Sequence, residues 1–146
     1  MLPSSPYLIL AFYPQLPFSV FTDGQVLLQD EGSGPYIAQW NVPSLPQPTD
    51  AELHSDSNEL AAAKLEGNTV VESQESQQNQ VALIGLNPAT YAAQCSLPPE
   101  QRLPKYQVAI DQINQIAIET DARQVAIEEA TTVAEVNAIV YPPAAS

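Results

Sequence analysis

The sequence predicts an α+β protein: a small antiparallel β meander at the N-terminus, a proline-rich spacer, and then a mainly helical remainder with a long C-terminal helix. Three observations carry this. Between residues 18 and 42, short apolar runs are separated by Asp23-Gly24 and by the glycines of DEGSG, the punctuation of β turns. The stretch 42–48, VPSLPQP, holds three prolines in seven positions, which forbids a regular helix and favours extended backbone. From Lys105 to about Ala130, apolar residues recur at spacings of three and four, as on one face of a helix.

The elements follow in order. YLILAFY (7–13) suits a strand or a short helix, and Pro14 and Pro17 end it either way. FSVFT and QVLLQ flank Asp23-Gly24, which fits a two-residue type I′ turn because both central positions need positive φ. DEGSG supplies another turn, after which PYIAQWN alternates Tyr36, Ala38 and Trp40 on one face with Ile37 and Gln39 on the other, completing three strands. Past the spacer, Thr49 and Glu52 stand in capping-box positions, so a helix starts there and runs to about Leu65. Leu53, Leu60, Ala61 and Lys64 mark its better face, and Gly67-Asn68 suits a left-handed C-terminal end.

Residues 72–80, ESQESQQNQ, contain no apolar side chain and read as a linker, since they bury nothing to offset their ordering entropy. VALIG then resembles a short strand, LNPATYAAQ a turn or short helical piece, and SLPPEQRLP a proline-punctuated connection. The long helix carries Tyr106, Ala109, Ile110, Ile113, Ile116, Ala117, Ile127 and Ala130. Its heptad test meets Thr120 and Arg123, which favours packing on an open surface or a second helix over a long coiled coil. Thr132 and Glu135 repeat the capping box ahead of VAEVNAIV, which Pro142-Pro143 stop. The organisation expected is a β unit with its spacer over 1–48, a helix over 49–68, a polar linker and irregular segment over 69–104, and a helical region over 105–146.

Composition bounds function. A chain of 146 residues fits one domain or a small domain with an arm. Seventeen acidic side chains against four basic ones give a net charge of −13, which repels a phosphate backbone, so nucleic acid is not an expected partner. The single cysteine, Cys95, excludes an intramolecular disulfide and a thiolate metal cluster; a half-buried inert thiol in a reducing cytosol is the expectation, with a cross-link to another chain as the alternative. The apolar N-terminus carries no basic residue and is interrupted by Pro3, Pro6, Pro14 and Pro17, so neither a signal peptide nor a membrane anchor is expected.

Catalytic signatures are missing. His54, the sole histidine, falls on an exposed helix beside Ser55 and Asp56, and adjacent residues on one helix cannot converge as a triad. Asp30/Glu31 and Glu128/Glu129 read as solvated acidic pairs in the absence of a calcium-loop pattern. DEGSG lacks the Gly-Lys-Ser/Thr ending of a phosphate loop. No catalytic, cofactor or metal site is therefore expected. Tyr36 and Trp40 on one strand face serve either as core or as a docking platform, and the edges of so small a sheet are a second place for a partner to bind.

At this point the pattern becomes familiar. DGQVLLQDEGSGPYIAQWN followed by LPQPTDAEL resembles the phage tail-fibre assembly proteins, particularly those with an XkdW-like domain, through Asp23, Gly24, Gly34, Tyr36, Ile37, Trp40, Asn41, Pro46, Pro48, Thr49, Glu52 and Leu53. The C-terminal AIEEATTVAEVNAI is similar to the helical endings of the same proteins. The firm part spans about residues 18–60, with weaker support over 122–140. The resemblance implies a non-enzymatic chaperone of the host-cell cytoplasm that binds a trimeric tail-fibre protein and assists its folding or trimerisation. Its alternative is a structural fibre adaptor, tip or baseplate-associated subunit that stays in the virion tail. Other tail proteins and further copies of the chain are possible partners; membranes are not. The candidate binding residues are Tyr36, Ile37 and Trp40 on the sheet and Tyr106, Ile110, Ile113 and Ala117 on the long helix.

Overall fold

The computed structural model describes residues 3–144, and among these it contains α1 (Ser5–Phe12), β1 (Val26–Asp30), β2 (Pro35–Trp40), α2 (Asp50–Leu53), α3 (Asp56–Ala82), α4 (Pro88–Cys95), α5 (Pro104–Glu129) and α6 (Val133–Val140). The fold is α+β, with one antiparallel two-stranded sheet. The chain divides into two compact units, the first made of Met1–Asn68 with Ile127–Ser146 and the second of Thr69–Ala126.

In the first unit YLILAFY resolves to a helix. Pro6 sits in its first turn, where a missing N–H costs no hydrogen bond, and Leu8, Ile9 and Leu10 are all buried. FSVFT, expected as a strand, is instead a 3-10 turn over Phe18–Phe21. A 3-10 turn brings residues i and i+3 into line. Here that stacks Phe18 edge-on against Phe21 at 5.4 Å between ring centroids, with Tyr7 at 6.2 Å, while Val20 points into the core. The aromatic pairing gained across one turn displaces the third strand. Asp23-Gly24 consequently links the 3-10 turn to β1 and closes no hairpin, although Gly24 does hold a positive φ of 75°.

The hairpin that does form turns through residues 31–34, where Asp30 Oδ1 accepts hydrogen bonds from the N–H groups of Gly32 (2.8 Å) and Gly34 (3.2 Å). Its register passes from Leu27 opposite Gln39 to Leu28 opposite Ile37, so Ala38 is left without a partner in a β-bulge. One extra residue resets the alternation of faces. Ile37 and Trp40 therefore both pack on the core formed by Leu8, Ile9, Val20, Val26, Leu53 and Ala62, whereas Tyr36 and Ala38 are exposed. The strict alternation expected from the sequence is corrected by that bulge.

The proline-rich spacer forms no helix, as expected, but it does not stay extended throughout. Ser44 adopts a positive φ of 66°, turning the chain back. Trp40 Nε1 donates to Leu45 O and the Tyr13 hydroxyl donates to Pro46 O, both at 2.8 Å, and Pro48 is buried. The prolines thus form a return loop laid against α1 and β2.

The capping box at Thr49 is complete: the Thr49 hydroxyl accepts from Glu52 N, and Glu52 Oε2 accepts from Thr49 N at 2.8 Å. Thr49→Ala is expected to cost about 1 kcal/mol, read as a lowered urea midpoint at unchanged slope. The helix it starts lasts one turn only. Buried Asn58 donates through Nδ2 to Leu53 O (2.9 Å) and to Leu8 O (3.0 Å), satisfying a carbonyl where α2 ends and tying it to α1. Ser55 Oγ then accepts from Asn58 N, and α3 begins.

α3 does not end at Gly67-Asn68. Gly67 is buried inside the helix, and a Cβ built on it would meet Val136 Cγ1 at 3.0 Å, Val140 Cγ2 at 3.1 Å and Ile127 Cδ1 at 3.6 Å. The glycine permits close approach of α6 and the end of α5; it caps nothing. Lys64 Nζ donates to Glu128 O, and Asn68 Nδ2 donates to Glu128 Oε1, at the same contact.

At the start of α6 the second capping box is present, with Glu135 Oε2 accepting from the N–H of Thr131 (2.6 Å), the Thr131 hydroxyl (3.0 Å) and the N–H of Thr132 (3.2 Å). These bonds, the Thr131 N–H first, lower the Glu135 pKa below its usual value. A carboxyl with a depressed folded-state pKa adds stability above the ordinary glutamate range, near pH 4.3, and loses it as pH falls through the lower folded value. The stability difference between the native chain and Glu135→Gln is therefore expected to be larger at pH 6 than at pH 3, as thermal melts at the two pH values will read.

The second unit replaces most of the expected linker with helix. Residues 72–80 continue α3, and VALIG forms the last residues of α3 and a turn in which Gly85 takes φ 78°. Glutamine and glutamate rank among the good helix formers, and neither glycine nor proline interrupts residues 68–84. α3 and α5 run antiparallel here, with Arg123 Nη2 donating to Gln74 Oε1 at 2.8 Å and Gln124 Nε2 to Glu72 Oε1 at 3.3 Å. Asn87 caps α4 by accepting from Thr90 N. Arg102 closes its other end, donating through Nε to Gln94 O and Leu97 O and through Nη2 to Cys95 O.

Candidate partner-binding surfaces

In the first unit the three sheet residues separate by exposure. Tyr36 is open to solvent beside the hairpin turn, and its hydroxyl donates to Glu31 Oε1 at 3.0 Å, a bond that holds the phenol above its usual pKa. Ile37 and Trp40 are half-buried against the core, with the Trp40 ring 6.0 Å from that of Tyr13. They support the sheet from within. Leu27 adds an exposed apolar side chain on β1, and a two-stranded sheet leaves one main-chain pairing side of each strand outside the ladder. The exposed large side chains of the sheet are thus Tyr36 and Leu27, and elsewhere in this unit Phe18, Leu65 and Tyr141 are exposed as well.

In the second unit Tyr106 (3% exposed) and Ile110 (6%) are buried, so they present no surface in this conformation. Ile113 and Ala117 are half-buried. The apolar side chains that α5 does present are Val108, Ile118 and Val125, on the turn of the helix opposite its packed face, and α3 ends with exposed Val81 followed by Ile84. Helix periodicity alone identified the apolar stripe; which stripe residues stay accessible depends on what packs over them.

A concavity lies within this unit, between the C-terminal half of α3 and the middle of α5. It is an open groove of about 760 Å³. Gln74, Gln77 and Gln78 line one wall, Gln112 and Gln115 the other, with Val81, Ala82 and Ile116 as apolar ground. Apolar periodicity does not reveal these glutamines. Their own spacing, i, i+3 and i+4 on α3 and i, i+3 on α5, was the available signal. Chemically the groove offers amide donors and acceptors with no charge.

The remaining reactive groups lie apart. His54 is exposed, with Nδ1 3.0 Å from Glu59 Oε1. Cys95 is exposed, contrary to the half-buried thiol expected; it is the last residue of α4, a short helix that buries none of its side chains. Burial, and then a hydrogen bond to Cys95, raise the pKa of neighbouring Tyr91. Among the described residues no three His, Cys, Asp or Glu side chains gather as metal ligands, and no helix is long and apolar enough to cross a membrane.

Comparison with known proteins places part of this architecture. The family model for XkdW protein matches residues 6–64, which run from α1 through the hairpin and the Thr49 cap into the first third of α3. The match marks the chain as phage-related. No curated protein and no solved structure matches it.

Proposed function

We propose that this chain is a phage tail-fibre assembly chaperone, which binds the fibre polypeptide in the host cytoplasm and assists its folding or trimerisation without making or breaking bonds. The observation that carries the reading is the XkdW match over residues 6–64, on the segment whose motifs resemble tail-fibre assembly proteins. Physical chemistry supports it. A β-rich trimeric fibre exposes long apolar edges before its chains meet, and uncovered edges pair wrongly. Strand edges beside Tyr36 and Leu27, and the exposed aliphatic residues of α5, are surfaces of the kind such a cover requires. A net charge of −13 keeps the complex soluble.

Co-expression with the fibre gene tests the proposal. Soluble trimeric fibre is expected only when this protein is present; equal yields of trimer without it would end the chaperone reading. Stoichiometric protein in purified particles, with no effect on fibre yield, would instead make it a structural subunit of the tail.

A further inference from the structure

The glutamine-lined groove is built for a different kind of occupant from the usual interhelical cleft. Its lining carries no charged side chain, in a chain with 17 acidic residues. Two of its amides are held in place from outside: Gln74 Oε1 accepts from Arg123 Nη2 at 2.8 Å, and Gln115 Nε2 donates to Glu119 Oε1 at 3.0 Å. Gln77, Gln78 and Gln112 are exposed along the same walls.

The chemistry of this lining selects among occupants. A primary amide has an acceptor oxygen and two donor hydrogens, so it pairs with a peptide N–H and a peptide C=O alike. A docked helix has already satisfied its backbone internally and would cover the glutamines without pairing them, at the cost of burying unsatisfied polar groups. An extended strand offers both backbone groups along its free side and side chains that alternate, one set toward Val81, Ala82 and Ile116. Charge complementarity narrows the choice further. Neutral walls supply no counter-charge for a buried Lys or Glu, and a second copy of this chain brings its own −13. A volume of about 760 Å³ holds a short segment and not a folded domain.

We infer that this groove receives an extended, uncharged segment of a partner polypeptide, its backbone paired to Gln77, Gln78 and Gln112 and its alternate apolar side chains set on Val81 and Ile116. The inference rests on the proposed function, in which the partner is an unassembled β-rich fibre chain, and it names the part of that chain the second unit holds.

The test titrates four capped synthetic peptides into the isotope-labelled full-length chain: a heptapeptide alternating threonine and valine, two versions of it with the threonines replaced by lysine and by glutamate, and an amphipathic helical peptide. Backbone shifts confined to residues 74–82 and 112–116 are expected with the neutral strand peptide alone. Its affinity is expected to fall at least tenfold in Gln77→Glu/Gln112→Glu, whose substitutions are exposed and helix-compatible and whose unchanged remaining spectrum verifies the fold. No shifts, shifts elsewhere, an undiminished affinity in the double variant, preference for the helical or charged peptides, or concentration-dependent self-association through the groove would each overturn the inference. The same double variant is then co-expressed with the fibre. If the native chain promotes trimers and the variant does so equally, the groove inference fails and the chaperone reading survives. If the neutral peptide binds in the groove but the native chain leaves fibre yield unchanged, the chaperone reading is the one that fails.

Discussion

Trp40→Ala is expected to destabilise the first unit by about 3 kcal/mol, the lower end of the range for losing a large aromatic side chain, since the ring is half-buried. Three losses coincide. The ring leaves the core on the face it shares with Ile37, it gives up its contact with Tyr13 at 6.0 Å, and Nε1 no longer satisfies Leu45 O. The last of these frees the return loop over 42–48, whose other tie is the Tyr13 hydroxyl on Pro46 O. Trp40→Phe separates the effects: it keeps most of the apolar area and forfeits the hydrogen bond, worth about 1 kcal/mol. Urea unfolding followed by far-ultraviolet circular dichroism measures both. A Trp40→Ala protein as stable as the native chain would mean that the ring does not hold the sheet to the loop.

Gly67→Leu should be comparably damaging, by about 3 kcal/mol, for the opposite reason. Nothing is removed; atoms are forced into a space where even a Cβ would meet Val136 at 3.0 Å and Val140 at 3.1 Å, both fully buried. Gly67→Ala sets two effects of similar size against each other. Alanine improves helix propensity by about 1 kcal/mol, and its methyl group pushes on two valines that must yield a few tenths of an ångström. The net change is expected to be close to zero. The same substitution in a Val136→Ala background has the space it needs, so there Gly67→Ala becomes stabilising, and the double-mutant cycle reads out the contact itself. A Gly67→Leu chain with native stability would show that α6 does not pack on this glycine.

Gly67 also shows how much could be read beforehand. The stretch LEGNT has the composition of a helix end, and glycine followed by asparagine is the usual left-handed cap. A buried glycine accommodating a second helix has the same local sequence. The signals differ only in what lies nearby in space, and residues 136 and 140 are distant in sequence. The linker expected over 72–80 failed for a related reason. The absence of apolar side chains says only that the segment builds no core, whereas its glutamines and glutamates carry unbroken helix propensity; antiparallel pairing of Gln74 with Arg123 and Glu72 with Gln124 supports the helix from outside.

Local signals did well where one hydrogen-bonding group settles the matter. Both capping boxes, at Thr49 and Thr132, and the long helix α5 are where the residues place them. The candidate surfaces were legible only as stripes. Periodicity selected Tyr106, Ile110, Ile113 and Ala117 as one face of α5, and packing then buried the first two and half-buried the others. The glutamine groove requires two helix segments from different parts of the chain.

By itself the sequence determined the α+β class, the acidic charge, the capped helix starts at Thr49 and Thr132 and the turn at Gly32 and Gly34, since each depends on composition or on groups within a few residues of one another. Tertiary structure alone decided that FSVF would coil as a 3-10 turn, that a bulge at Ala38 would bring Ile37 and Trp40 to the same side, and that α3 would run through Gly67 to Ala82. The passage of α3 through Gly67 turns on Val136 and Val140, far off along the chain, and the placing of Val20, Ile37 and Trp40 turns on a core drawn from α1, the sheet and α3, contacts that local preferences do not specify.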